Sequence, residues 1–289
     1  MKKILLCALA LALLCVSALA EGAPAQQTIL IDGGDHQIPA TVCLPEGDGP
    51  FPALVMLHGT GSNRDEAGGG YAVAAPILAE DYGIATIRID FMGNGESTAS
   101  YEGYTFASAV GDAVAAAEHL ASLPQIDKAR IGVMGWSQGG TDALLSAGRH
   151  PERFSCVVTW AGAPDLSDGE DMINDALYAE AKANGFFVMN FDWRDPLHVS
   201  LQWCEDVLNT DVLAEFAAFP GPVLAIAGKD DTTVNPEWSQ KIREASPNER
   251  SAVYLIEGMD HTFNVFTEED LHSLKDAIRA TGEFVQGAM

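Results

Sequence analysis

The chain has 289 residues, of which 41 are acidic and 16 basic, for a formal net charge of −25. A surface this negative repels phosphate backbones and anionic headgroups, which argues against nucleic-acid binding and against stable attachment to an anionic membrane. The length and a 47% hydrophobic content suit one large globular domain better than two small ones.

Met1-Lys2-Lys3 precedes an apolar run from Ile4 to Ala20, and Ala18-Leu19-Ala20 offers a small-x-small cleavage site. This pattern predicts a signal peptide over residues 1–20, removed to leave 21–289 as a secreted or periplasmic protein. Cys15 follows Leu14 rather than a small residue, so no lipid anchor is expected. Cys43, Cys156 and Cys204 then remain. Three thiols cannot all pair, and buried free thiols are the expectation. No C-x-x-C or His-x-x-x-His spacing occurs, so no structural metal is expected.

Two short strand patterns, Thr28 to Ile31 and Gln37 to Leu44, flank the turn signal Asp32-Gly33-Gly34-Asp35. After a Gly/Pro-rich link comes Ala53 to Leu57, a continuous apolar run typical of a strand buried on both faces of a parallel sheet. It empties into His58-Gly59-Thr60-Gly61-Ser62-Asn63-Arg64-Asp65-Glu66, a loop of glycines and small polar residues that can bring backbone N–H groups to a ligand. The Thr60 N–H is assigned there as an oxyanion donor, and His58 as a residue that shapes the loop. A helix is predicted from Tyr71 to Glu80, a strand from Ile84 to Ile89, a loop from Asp90 to Ser97 and a long helix from Phe106 to Leu123.

Ile131-Gly132-Val133-Met134-Gly135-Trp136-Ser137-Gln138-Gly139-Gly140 follows, and a helical pattern starts at once after it. Strand, glycine, serine, glycine, helix is the G-x-S-x-G nucleophile elbow in its required context. A turn that tight leaves no room for a Cβ at the flanking glycines, and it lifts the serine hydroxyl above the sheet edge. It also aims the Gln138 N–H, at a helix N-terminus, toward a developing oxyanion.

His150-Pro151 stops that helix, and Phe154 to Trp160 reads as another buried strand. Between residues 164 and 219 the alternation lapses into an aromatic- and acid-rich insertion with helical patterns at Asp171–Ala183 and Val199–Leu208, which reads as a cap over the site. The sheet resumes at Val223 to Ala227, followed by a helix from Glu237 to Ala245, a strand from Ala252 to Ile256 and a C-terminal helix from Glu268 to Ala280. Strands alternating with helices predict an α/β fold with a mostly parallel sheet covered on both faces.

A serine hydroxyl needs a base, and the base a third group that fixes its tautomer. His261 is the only histidine after Ser137 on a post-strand loop with small and polar neighbours; His198 lies in the cap and His272 in a helix. Asp230 and Asp231, on the loop after the preceding strand, are both placed to serve as the third group. Ser, Asp and His then follow the chain order this architecture requires. Trp136, His58 and Trp193 are the candidates for contact with substrate. No cofactor is implied.

His58-Gly59, Asp90-Phe91-x-Gly93-x-Gly95-x-Ser97, Gly135 to Gly140, Gly228-x-x-Asp231 with Val234, and Gly258-x-x-His261 stand in the order of the landmarks of the α/β-hydrolase superfamily, which the mature chain resembles throughout. The resemblance implies an α/β-hydrolase fold and places the acid at the third position after the glycine, Asp231. Within the superfamily the chain is most similar to bacterial feruloyl/cinnamoyl esterases and serine-aminopeptidase-like hydrolases. Asn94 departs from the histidine many relatives carry there, and the cap matches no substrate signature.

These observations predict an exported serine hydrolase that cleaves small carboxylic esters, of feruloyl/cinnamoyl or short-acyl type. Two alternatives stand beside it. One is a peptidase for short peptides, in which Asp171, Asp175, Glu180 or Asp192 of the cap would hold a free amino terminus. The other is a non-catalytic binding protein on the same fold.

Overall fold

The computed structural model describes residues 24–167 and 172–289. The expected signal peptide, residues 1–20, and Asp171 lie outside the described residues. An eight-stranded sheet has the order β1-β2-β4-β3-β5-β6-β9-β10. Its strands are β1 (Ala25–Asp32), β2 (Gln37–Leu44), β3 (Phe51–Leu57), β4 (Ala85–Ile89), β5 (Ile126–Trp136), β6 (Val157–Trp160), β9 (Val223–Gly228) and β10 (Ala252–Ile256). β1 and β2 pair antiparallel with each other, β2 joins β4 antiparallel, and every other pairing is parallel. The hairpin at the edge and the parallel strands behind it are what the turn signal and the continuous apolar runs predict.

Two helices, α1 (Gly70–Tyr82) and α8 (His272–Ala288), cover one face, where Tyr71, Leu78, Leu274 and Ile278 meet the strand residues Leu54, Met134 and Val158. The other face carries α2 (Phe106–Ser122), α3 (Gln138–Arg149) and α7 (Glu237–Ala245), packed on Val55, Ile87 and Val133. Cys43, Cys156 and Cys204 are free and buried, and burial pushes their thiols up to about 11 or 12, which removes thiolate chemistry at neutral pH.

Residues 164–219 do leave the sheet between β6 and β9, but their structure differs from the reading in sequence. A two-stranded antiparallel sheet, β7 (Phe186–Met189) with β8 (Leu197–Ser200), stands between α4 (Asp175–Asn184) and α5 (Leu201–Asn209), and α6 (Val212–Phe216) follows. The second helix starts at Leu201 rather than Val199 because Ser200 caps it, its Oγ accepting the Trp203 N–H at 3.2 Å. The first starts at Asp175 because Asn174 accepts the N–H groups of Ala176 and Leu177. The final helix begins at His272, not Glu268. Leu271 has φ 53°, which breaks the helix, and the Glu268 carboxylate instead accepts the Ser273 N–H at 2.7 Å and the Ser273 hydroxyl at 2.7 Å.

One aromatic knot joins the sheet to the loop that follows β10. Trp136 and Trp160 lie 5.4 Å apart between ring centroids, and Phe263 sits 4.6 Å from the first and 4.9 Å from the second. The polar ends are satisfied: Trp160 Nε1 donates to Thr281 Oγ1 and Tyr71 to the Leu57 carbonyl. Since Phe263 is fully buried, Phe263→Ala is expected to cost about 3–5 kcal/mol. It should appear as a lower urea midpoint at unchanged slope.

Candidate functional site

Ser137 joins β5 to α3 with φ 55° and ψ −121°, a conformation that L-residues rarely hold. Neighbouring packing enforces it. A Cβ on Gly135 would lie 1.8 Å from the Gly139 carbonyl oxygen, and one on Gly139 would lie 2.2 Å from that of Leu57. The Ser137 N–H donates to the Trp160 carbonyl at 2.8 Å, anchoring the turn to β6. Among the described residues the Ser137 hydroxyl has no hydrogen-bond partner, so it is free to rotate.

The loop after β3 closes over this serine, Gly59 passing so near that a Cβ on it would stand 3.2 Å from Ser137 Cβ. Three carboxylates hold the loop in place. Glu66 accepts the Gly59 N–H at 2.6 Å and the Ala67 N–H at 3.0 Å. Asp90 accepts the Arg64 N–H at 2.7 Å and the Glu96 N–H at 2.9 Å, and pairs with the Arg64 guanidinium. Asp65 pairs with the nearly buried Arg88 of β4 at 2.7 Å. Burial raises the Glu66 carboxyl to about 7, against the pull of the amides it accepts. From the cap, Arg194 donates to the Gly61 carbonyl and, at 2.8 Å, to Asn94 Oδ1, so Asn94 serves as an anchor for the cap.

The two residues expected to present oxyanion donors are tied by their own side chains. Thr60 Oγ1 donates to Gln138 Oε1, Gln138 Nε2 donates to the Tyr104 hydroxyl at 3.0 Å, and Tyr104 donates to Asp142 Oδ2 at 2.6 Å. Gln138 is the first residue of α3, whose N–H has no acceptor within the helix. The Thr60 N–H has none among the described residues. Two donors left open beside a serine suit an oxygen that gains negative charge.

His261 Nδ1 lies 2.8 Å from Asp231 Oδ2, and the other Asp231 oxygen accepts the N–H groups of Thr233 and Val234. A buried carboxylate with its turn amides satisfied is fixed in place and holds the ring with Nε2 facing outward. Asp230 is exposed and stands apart from this pair. Trp136 Nε1 donates to the His261 carbonyl at 3.0 Å, so the residue before the serine positions the histidine loop.

Ser137, His261 and Thr60 border one cavity of about 750 Å³. Trp136 forms its floor, and Met172, Phe191, Trp193 and Phe266 its outer walls. Trp193 and Phe266 are 64% and 70% exposed, at the rim. His58 requires a correction: it does not border the cavity. It is buried beneath the loop, where Nε2 accepts the Phe91 N–H at 3.2 Å, so Nδ1 carries the proton donated to the Gly59 carbonyl at 2.8 Å. Burial pushes it down to about 4, so it stays neutral and structural. Asp175, Glu180 and Asp192 do not border the cavity either, and among the described residues Glu66 is its one carboxylate. Among the described residues no group of three or more His, Cys, Asp or Glu side chains converges to hold a metal ion.

Tyr104, Asp142 and Arg194 escaped notice in the sequence because their partners are remote in the chain. Glu66 had a local signal, closing the glycine-rich loop.

Asp142 is fully buried with Oδ1 unpaired, and burial raises it from an ordinary 3.8 to about 7. Between those values the folded chain keeps a proton that the unfolded chain has lost, so this residue's contribution to stability falls as pH rises through that window and is flat above it. Asp142→Asn removes the titration. The stability of the variant relative to the wild type should therefore rise between about pH 4 and 7 by on the order of 2–4 kcal/mol and then level off, as read from denaturation midpoints across pH.

The sequence model of the prolyl oligopeptidase family matches residues 74–260, which takes in Ser137 and Asp231 and stops one residue before His261. A 2,6-dihydropseudooxynicotine hydrolase of Paenarthrobacter nicotinovorans is 37% identical over 149 residues, 50% of this chain and 36% of that protein. The chain spans 36% to 53% of the length of the curated relatives it matches. Est1E of Butyrivibrio proteoclasticus, solved with ferulic acid, superposes with a TM-score of 0.70 at 20% identity over 90% of this chain and 98% of its own. A dienelactone hydrolase of Anabaena variabilis gives 0.64 at 18% identity over 92% and 99%. The two structural likenesses establish the fold, and the family match covers well over half of the sequence: the chain is an α/β-hydrolase and belongs to the prolyl oligopeptidase family.

Proposed function

We propose that this protein is a serine hydrolase that cleaves carboxylic esters through an acyl-enzyme, and that residues 1–20 direct its export. The observation that carries the reading is the His261–Asp231 pair at 2.8 Å on the wall of the cavity that also exposes the strained Ser137. Ser137 Oγ attacks the ester carbonyl and His261 Nε2 takes its proton. The oxygen, now negative, is held by the N–H groups of Thr60 and Gln138. His261 then hands the proton to the departing alcohol, Asp231 steadying the imidazolium, and water repeats the sequence on the acyl-enzyme.

Esters are preferred to peptides on the character of the cavity. A peptidase for short peptides needs a carboxylate to hold the free amino terminus. Glu66 is already committed to the Gly59 and Ala67 amides. The remaining described walls are Trp136, Met172, Phe191, Trp193 and Phe266 beside neutral polar groups such as Ser62, Asn63 and Thr262, none of which carries a charge to match an ammonium. Aromatic-acid esters such as ferulates and short-acyl esters are the two classes this chemistry admits.

The test is a panel of p-nitrophenyl acetate, methyl ferulate and alanine p-nitroanilide, given to the mature protein and to Ser137→Ala. Ester turnover should fall by at least ~10⁴-fold in the variant, with the anilide the poorest substrate for the wild type. Ester hydrolysis that survives the substitution, or an anilide turned over better than either ester, would overturn the reading.

A further inference from the structure

Ser137 borders two cavities. Besides the cavity of about 750 Å³, a second of about 80 Å³ lies against Ser137, Thr60, Met172 and Thr233, which the two share. Ala163, Leu166, Val234 and Trp238 form its apolar walls, with Asp165 and Asn235 as its polar ones. His261 borders the large cavity and not the small one. We infer from this asymmetry that the small cavity takes the acyl group and the large apolar cavity the alcohol, so that the substrates are short-acyl esters of bulky apolar alcohols. The inference rests on the ester-cleaving reading above.

The argument is one of directions at the reacting carbon. Once Ser137 Oγ has attacked, that carbon carries three other groups. The oxyanion must face the Thr60 and Gln138 amides. The departing oxygen must face His261, because it leaves with the proton that the imidazole returns. The acyl carbon takes the remaining direction. The alcohol and everything attached to it therefore lie on the side that His261 borders, the large cavity with Trp136, Phe191, Trp193 and Phe266 in its walls. The acyl chain lies on the side that His261 does not border.

The small cavity, about 80 Å³ against about 750 Å³ for the large one, makes the acyl group the smaller of the two and favours short chains over a cinnamoyl ring. The large cavity lies within the roughly 300–1,000 Å³ usual for ligands of drug size. This assignment separates the two ester classes in favour of short acyl chains, against the feruloyl alternative.

Isomeric alkyl esters of similar intrinsic reactivity provide the test. For the wild type, 2-phenylethyl acetate should exceed methyl 3-phenylpropanoate in kcat/KM by at least ~10-fold, since misplacing a ring by even one methylene's worth of space carries a penalty of that order. Leu166→Ala, which enlarges only the small cavity, should raise the rate on 2-phenylethyl hexanoate relative to the acetate. Phe191→Ala, in the large one, should erode the preference for 2-phenylethyl over ethyl acetate and leave the acyl-length preference in place. Methyl 3-phenylpropanoate turned over as well as its isomer, with Ser137 labelled by a fluorophosphonate, would overturn the cavity assignment and leave the serine-hydrolase reading standing. Failure of the fluorophosphonate to label Ser137, together with no turnover of either ester, would sink both.

Discussion

The crowding at the end of β5 is the constraint on which the rest depends. Gly135 and Gly139 are in contact through backbone, and Gly139 also touches the Leu57 carbonyl, so strand, helix and neighbouring strand meet without any side chain between them. This closeness is what keeps Ser137 at φ 55°, a conformation costing on the order of 1–3 kcal/mol that persists only where its surroundings over-determine it. The same closeness fixes the Gln138 N–H at the head of α3 and lets Gly59 pass directly above the serine. Ser137 and the N–H groups of Thr60 and Gln138 therefore share one rigid origin. The aromatic knot of Trp136, Trp160 and Phe263 extends that rigidity to the His261 loop, since the Trp136 indole holds the His261 carbonyl.

Around this origin the protein keeps an unusual amount of buried polarity. Glu66 and Asp142 are both raised to about 7 by burial, and His58 is lowered to about 4. Burial is the largest cause of each shift, and in His58 it outweighs the opposing pull of the buried Asp90 carboxylate. Each spends its hydrogen bonds on geometry: Glu66 and His58 on the backbone of the loop, and Asp142 on Tyr104, which reaches Thr60 through Gln138. The Asp142–Tyr104–Gln138–Thr60 chain orients the side chains of Thr60 and Gln138 beside Ser137.

Ser137, His261 and the order of strands along the chain were legible in the residues because their signals are local. G-x-S-x-G between strand and helix, apolar runs of strand length and the order of Ser137, Asp231 and His261 each follow from short-range chemistry. Asp230 and Asp231 are adjacent and chemically identical; the family resemblance points to Asp231, and packing turns Asp231 onto the His261 ring and leaves Asp230 exposed. The cap was the least legible part. Its strands are four residues long, too short for alternation to be distinct from a helical phase, and its helices start at caps on Asn174 and Ser200 that lie inside the apolar patterns. His58 was read both as shaping the loop and as a candidate substrate contact, and it does the first and not the second. Its burial comes from Phe91, a residue 33 positions away.

The division of labour between these parts explains why family membership and substrate are separate questions here. The reacting groups sit at strand ends and are held by contacts within the sheet, so they tolerate change elsewhere. The walls that would read a substrate come from different places: Met172, Phe191 and Trp193 from the cap, Phe266 from the segment before α8, and Trp238 from α7. The stretch matched by the family includes the whole of residues 164–219, yet shape and apolarity in a cap wall can be met by many sequences, whereas a strand-end serine needs one backbone geometry. Arg194 adds a further layer, since it ties the cap to Gly61 and Asn94 on the very loops that hold the oxyanion donor. A change at Arg194 is thus transmitted directly to the loops that carry Gly61 and Asn94.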